Sequence, residues 1–593
     1  LDTDRSGDVG SLTQATLGVE MLDVVIKGGD VIDGTGSSRR RVDVGIKDGR
    51  IVEIGEIATE AARTIDATGK LVAPGFIDIH THFDAQVFWD NALTPSPLHG
   101  VTTAIAGNCG FTIAPLSTDA SDGEYLMRML ARVEGMPLET LRTGVPWNWT
   151  TTADYLNAID GNIGINLGFM VGHSALRRVV MGSEAVGRES TPAELEQMKS
   201  LLRDGLDAGG LGFSSSYGRT HNDASGQPVP SRHASFHELI ELSRVTGEFE
   251  GTGLEFIPQV GPVFDDWAVD LMADMSAAAK RPLNWNVLVV NHANIEESNA
   301  KLRAGDAARE KGGKVVALTI PISFGVRLSF NGGFVLDSMP GWEGPMFASR
   351  DEKLALLRDK SARAALNGKA QSPDNPMRGI ANWSTKIIYD VVASENEQYR
   401  GRLIGDIATD QGRDAWDVLC DIVIADELHT SFGVPAAPET PEDWAARLDI
   451  WRDPRAIIGA SDAGAHFDLF STSNYATAML QRAVREGAVL TYEEAIHRLT
   501  QQQADLYGIR DRGVIRNGAY ADVIVIDPKT VGSGPTALRF DLPGDQARLY
   551  HDAIGIDYVF VNGEAIVENG ELTSSRNGSI LRSGADTFTP SLD

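Results

Sequence analysis

The chain has 593 residues, 42% of them hydrophobic and 23% charged, ordinary proportions for a globular protein large enough for several domains. Lys and Arg number 53 against 82 Asp and Glu, so 53 − 82 = −29 with a pI near 4.8, which disfavours nucleic acid and anionic membrane surfaces as partners. No apolar run approaches the roughly 18 residues of a membrane span, and the two cysteines, Cys109 and Cys420, are too few for a disulfide framework and suit a reducing cytoplasm, the expected location.

Residues 1–20 are polar and lack the apolar core of a signal peptide, so they are expected to be a tail or tag remnant ahead of Met21. From Asp23 onward, short β-branched runs are broken by Gly and Asp, the pattern of hairpins. The stretch 513–527 and the run 556–567 repeat that pattern near the other end.

Between these ends lies Leu71-Val-Ala-Pro-Gly-Phe-Ile-Asp-Ile-His80-Thr-His82. In a strand, the i, i+2 spacing of His80 and His82 puts both imidazoles on one face, side by side as two ligands for zinc or a similar first-row ion. Two ligands do not complete a site, so further donors must arrive from distant segments. Asp78 shares their parity and is expected one layer deeper, where it could orient an imidazole. Further on, Cys109 lies in the Gly-flanked turn Gly107-Asn-Cys-Gly110, where a thiolate would be a strong soft ligand; elsewhere such a cysteine is more often inert and buried.

Short apolar strands expected at 75–79, 102–106, 165–171, 210–214, 253–257, 284–290, 315–320 and 456–460 alternate with helical patterns. This is the rhythm of an α/β fold with a parallel sheet. Thr191-Pro-Ala-Glu-Leu195 carries a cap residue and a first-turn proline, a good helix start. The segment 323–455 is too long for a loop and is expected to be an inserted lid or subdomain, with helices in 351–366 and 405–428 and its aromatics mainly in a local core. Asp462 ends the apolar strand that begins at Ala456 and reads, on its own, as a base or as a turn residue.

Taken in order, Gly75-Phe-Ile-Asp-Ile-His-Thr-His82, Gly107-Asn-Cys-Gly110, Val171-Gly-His173, Ile458-Gly-Ala-Ser-Asp462 and Gly518-Ala-Tyr-Ala-Asp522 make the sequence resemble the amidohydrolase superfamily. Within it the resemblance is to the D-aminoacylase, or N-acyl-D-amino-acid deacylase, family, as a divergent member. The resemblance implies a (βα)8 TIM barrel spanning 71–505, interrupted by the insertion at 323–455, and a composite β-sandwich built from 21–70 and 506–593. It implies that Cys109 is a metal ligand with His80 and His82, and that Asp462 is the general base. His173 follows as a residue that touches substrate or supports the metal.

One departure stands out. Family members carry a metal-binding histidine on each of the fifth and sixth strands, whereas here Gly253-Leu-Glu-Phe-Ile-Pro-Gln259 and Arg281-Pro-Leu-Asn-Trp-Asn-Val-Leu288 contain none. Glu255 and His221 are the candidates to stand in, with His292 behind them. Arg177, Arg219 and Arg327 are the cations expected to meet a substrate carboxylate. The implied cofactor is a divalent metal, zinc by the chemistry of the donors, at about one or two ions per chain. The expected function is hydrolysis of a C–N amide bond in a small molecule, compatible with a homo-oligomer. The alternatives are a hydrolase of a cyclic amide, carbamate or urea, and a non-catalytic binding homologue.

Overall fold

The structure is a computed structural model that describes residues 21–434 and 438–592; the expected N-terminal tail, 1–20, lies outside the described residues. Both chain ends meet in one place. A seven-stranded sheet takes Asp30–Val31, Arg40–Arg41 and Leu71–Pro74 from the N-terminal part, and Val523–Ile526, Ile556–Val561, Glu564–Glu568 and Glu571–Leu572 from the C-terminal part. The seam between the two parts is the antiparallel pair Leu71–Pro74 and Val523–Ile526, with Ala73 opposite Ile524. A four-stranded sheet of Leu22–Lys27, Asp43–Lys47, Arg50–Gly55 and Ala61–Asp66 shares its hydrophobic cluster: Val24, Ile26, Val44 and Ile46 are buried with Val72, Val523, Val525 and Phe560. Residues some 500 positions apart in the chain thus bury the same apolar surface.

The central part alternates parallel strands with helices. Phe76–Asp78, Val101–Ala106 and Asn166–Phe169 form a three-stranded parallel sheet. Val171–Gly172, Gly212–Ser216, Gly253–Ile257, Pro282–Leu288, Lys314–Thr319 and Ala456–Ile458 form a six-stranded one. Every strand expected from the sequence overlaps one of these. Among the described residues no continuous ladder joins the sheets into a ring, but backbone hydrogen bonds run between them at both junctions. Leu211 N–H donates to the Phe169 carbonyl at 2.7 Å, and His82 N–H to that of Ala463 at 2.7 Å.

The connecting helices show why they form. Pro192–Asp207 starts with Thr191 and Glu194 in a reciprocal capping box, and its buried Leu195, Met198, Leu202 and Leu206 recur at spacings of three and four. That stripe packs with Leu239 and Leu242 of the helix Phe236–Thr246, and with Phe213 and Leu254 on the strands beneath.

The long segment before the last strand has its own core. Arg327–Ser329, Ser431–Gly433 and Ile387–Asp390 make a three-stranded antiparallel sheet, packed against Arg350–Arg358, Lys360–Ala370, Ile404–Gln411 and Ala415–Ala425. Phe330, Trp342, Trp383, Trp416 and Phe432 fill it. Each indole N–H has an acceptor: Trp342 the Leu366 carbonyl at 3.0 Å, Trp416 the Arg363 carbonyl at 3.0 Å, and Trp383 Asn367 Oδ1 at 2.8 Å. Large amphipathic rings can therefore be buried without an unsatisfied donor. Within the segment 323–455, the helix Pro441–Arg452 behaves differently, because Ala446 and Ile450 pack into the cluster around the central strands.

Candidate metal centre

The first strand ends at Asp78, so His80 and His82 sit just beyond it rather than within it. Thr81 between them holds the segment extended: its N–H and its hydroxyl both donate to the Ile105 carbonyl, at 3.0 and 2.9 Å, and it bridges in parallel to Ala463. Pinned between the second and eighth strands, the two imidazoles face one another edge to face, centroids 5.4 Å apart. Asp78 differs from expectation. Its carboxylate accepts a 3.4 Å bond from the His80 backbone N–H, and it reaches no imidazole within ion-pair distance.

Cys109 arrives on a turn that only glycines permit at its flanks. Its own φ is 59°, and Gly107 and Gly110 have φ of 78° and 74°. A Cβ on Gly107 would lie 2.6 Å from the Met170 carbonyl oxygen, and one on Gly110 3.0 Å from the Ser215 backbone. Three side chains lock the turn: Gly107 N–H donates to Asp84, Cys109 N–H to Glu255 Oε2 at 2.7 Å, and Gly110 N–H to Ser214. The thiol is thereby placed 3.5 Å from His80 Nε2 and 3.9 Å from His82 Nε2, and one donor atom from each of the three residues lies within 4.8 Å of the others.

Asp462, past the eighth strand, completes the cluster. Its Oδ1 is 3.3 Å from His80 Nε2 and 3.8 Å from His82 Nε2. Burial opposes its charge, but contact with His80 holds its carboxyl down to about 2. His80 is the mirror image: burial works against its charge, and the Asp462 contact carries its pKa above the ordinary value. Burial, with His80 next to it, drives His82 well below its own.

Three further groups belong to the cluster and were not singled out by their sequence context as ligands. Glu134, just past the helix Ala120–Val133, places Oε2 3.4 Å from His82 Nε2 and 3.7 Å from His466 Nε2. The His466 N–H in turn donates to the Glu134 carbonyl at 2.5 Å. Asn286, on the sixth strand where the family pattern has histidine, places Nδ2 3.1 Å from His80 Nε2. The absence of histidine there was the signal for Asn286; Glu134 had none.

These residues fit a divalent cation. Asp84, Glu134, Glu255 and Asp462 gather around a thiol, and among the described residues none of the four pairs with Lys or Arg. Burial pushes the Glu255 carboxyl up to about 7, and burial with the neighbouring carboxylates pushes the Cys109 thiol well up. His80 Nδ1, His82 Nδ1 and Glu255 Oε1 are buried without any hydrogen-bond partner. Carboxyl and thiol groups crowded around the Nε2 atoms of His80 and His82 are donors that a bound cation would bring together. Two donors about 2.0–2.3 Å from one tetrahedral ion are roughly 3.3–3.6 Å apart, close to the 3.3, 3.5 and 3.9 Å separations here.

A cavity of about 240 Å³ opens over the cluster. Its lining combines acidic, thiol and imidazole groups (His82, Cys109, Glu134, Asp462, His466 and His221) with apolar ones (Ile257, Pro258, Val260, Phe264, Trp285 and Val287). His221 is carried there by the loop after the fourth strand, its Nδ1 2.6 Å from Ser216 Oγ and its ring 5.0 Å from that of Phe111, and burial pushes its pKa down to about 3.

The other expected site residues lie elsewhere. His173 is fully buried, Nδ1 2.8 Å from Ser215 Oγ and Nε2 2.8 Å from Glu238 Oε1. Arg177 donates to both oxygens of the same Glu238, at 2.5 and 2.7 Å, so these two residues form a closed internal network. Arg219 donates to the Val260 carbonyl at 3.3 Å but is not part of the cavity lining. Arg327 pairs with Asp390 in the inserted segment and borders a separate cavity of about 440 Å³. His292 is half-exposed and bonds Asp443 at 2.7 Å.

Among curated proteins of Alcaligenes xylosoxydans xylosoxydans, the chain is 29% identical over 577 residues to N-acyl-D-glutamate deacylase, spanning 95% of this chain and 98% of that one. It is 26% identical over 568 residues to D-aminoacylase, spanning 94% and 97%. Among solved structures it is similar to N-acyl-D-glutamate deacylase from Bordetella bronchiseptica, complexed with zinc and a phosphonate mimic of the tetrahedral intermediate, with a TM-score of 0.63 and 27% identity over 95% of this chain and 100% of that one. The model of the amidohydrolase family matches residues 63–567, and the chain belongs to that family.

Proposed function

We propose that this chain is a metal-dependent hydrolase of a C–N amide bond, and that its substrate is an N-acyl-D-amino acid. The observation that carries the reading is the convergence of His80, His82 and Cys109 within 4.8 Å, with Asp462 Oδ1 3.3 Å from His80 Nε2, at the floor of a cavity. His80, His82 and Cys109 would hold the ion, with zinc the expected one; bound there, it would supply Lewis acidity to polarise the amide carbonyl and acidify a water. Asp462 takes the proton from the attacking water and returns it to the amide nitrogen as the C–N bond breaks. Glu255 positions Cys109 through the turn's backbone N–H, and His221 borders the space where substrate lies. The Bordetella N-acyl-D-glutamate deacylase, complexed with zinc and a mimic of the tetrahedral intermediate, supports both the ion and the reaction type.

The two parallel sheets constitute, in this reading, one (βα)8 barrel, with His82, Cys109 and Asp462 at the C-terminal ends of its strands. Support comes from the hydrogen bonds at both junctions, including Asp462 N–H to the His80 carbonyl at 3.2 Å. The two chain ends constitute the sandwich domain, and the segment with its own tryptophan-rich core is the lid beside the mouth. The test is metal content of the purified protein, with turnover of an N-acyl-D-amino acid before chelation, after it, and after zinc is restored. A metal-free preparation that keeps full turnover would overturn the mechanism.

A further inference from the structure

Arg177, Arg219 and Arg327 being outside the cavity lining, Lys301 is the only Lys or Arg within it among the described residues. It closes the helix Ile295–Lys301, half-buried, with its ammonium 5.8 Å from the centre of the Phe264 ring. Among the described residues no carboxylate lies within ion-pair distance of it; its own helix offers only the field of Glu297, and burial pushes its pKa down. An ammonium held in a partly dry cavity without a partner costs free energy that a ligand anion would recover. The cavity it shares is lined largely by apolar residues, of which Val260 and Val287 remain 45% and 38% exposed. Uncovered branched aliphatic surface sharing a cavity with one cation is complementary to a molecule with one negative charge and an apolar body.

We infer that Lys301 receives the single carboxylate of a monoanionic N-acyl amino acid whose side chain is apolar. The inference rests on the amide-hydrolase reading of the same cavity and narrows its substrate class. A second carboxylate, as in an N-acylglutamate, would find no further Lys or Arg in the lining among the described residues and would share the cavity with the ionised Asp462, so such substrates are disfavoured by repulsion.

The test uses the metal-loaded full chain with Lys301→Met and Lys301→Arg, on N-acetyl-D-leucine, N-acetyl-D-glutamate and the neutral N-acetyl-D-leucinamide. The parent is expected to prefer the leucine acid to the glutamate acid. Lys301→Met is expected to lower the ratio of kcat/KM for the acid over the neutral amide about 10- to 100-fold, the scale of one charge-assisted hydrogen bond, with metal content unchanged and the ratio largely rescued in Lys301→Arg. A ratio that stays constant, because both substrates fall together or neither falls, overturns the assignment, as does a parent that prefers the glutamate acid. Turnover of the neutral amide alone overturns it while leaving amide hydrolysis intact. A parent that, metal-loaded, turns over none of the three overturns the hydrolase reading and Lys301 with it.

Discussion

Replacing Asp462 by Asn isolates the proton-transfer role of its carboxylate. Asp462 adopts φ 51°, a left-handed conformation that Asp and Asn tolerate and that costs most other residues about 1–2 kcal/mol, so Asn is a cleaner choice than Ala. Its fixed backbone contacts, N–H to the His80 carbonyl at 3.2 Å and carbonyl to Ala465 N–H at 3.1 Å, do not involve the side chain. The amide is the same size as the carboxylate and leaves His80, His82 and Cys109 in place, so the fold and the bound metal should persist. What is removed is a base within 3.3 Å of His80 Nε2, at the point where the attacking water is deprotonated. Loss of positioned acid–base catalysis costs roughly 10²- to 10⁴-fold, so kcat is expected to fall by at least about 100-fold, or about 2.7 kcal/mol of barrier. The assay is steady-state turnover of an N-acyl-D-amino acid, with metal content and thermal unfolding measured on the same preparation. Turnover within about threefold of the parent, with metal retained, would refute the role and move the search for a base to Glu255 and Glu134.

The double variant His80→Ala, His82→Ala should purify folded but without its divalent ion, which elemental analysis reads directly; full metal content would remove both from the donor set. Removing residues from about 510 onward deletes Val523–Ile526 from the middle of the seven-stranded sheet and uncovers Val72 and Val24, so the product should be insoluble, whereas a soluble monomer would show that the two ends fold apart. His99 is buried with Nδ1 2.7 Å from Thr477 Oγ1 and Nε2 3.1 Å from the His551 carbonyl, and burial holds its pKa down to about 3. Below about 6.5 the unfolded chain binds a proton there that the folded chain refuses, so stability drains away as the pH falls through that window. The side chain's share is up to about 1.4 kcal/mol per pH unit. By urea unfolding, the stability lost between pH 7 and pH 5 should be up to about 2 kcal/mol greater for the parent than for His99→Gln, and equal losses would contradict the assignment.

What could be read along the chain was whatever depends on near neighbours. The β-branched runs between Gly and Asp turns and the Thr191 cap with Glu194 three residues on are local patterns, and each lies where its spacing implied; His80 and His82 are neighbours as their spacing implied, although just past the strand rather than in it. The glycines around Cys109 likewise announced a tight turn, though not that Met170 and Ser215 are the backbones it must pass. The sorting of arginines was beyond reach, because Arg177 is claimed by Glu238, 61 positions away, and Arg327 by Asp390, 63 positions away. The same holds for Glu134 and Lys301, which come from two helix ends far apart in the chain and meet only around one cavity. Periodicity and capping are short-range steric and hydrogen-bonding effects, so a sequence displays them. Which charge is neutralised inside the protein and which is left facing a cavity depends on long-range packing, and only the folded chain decides it.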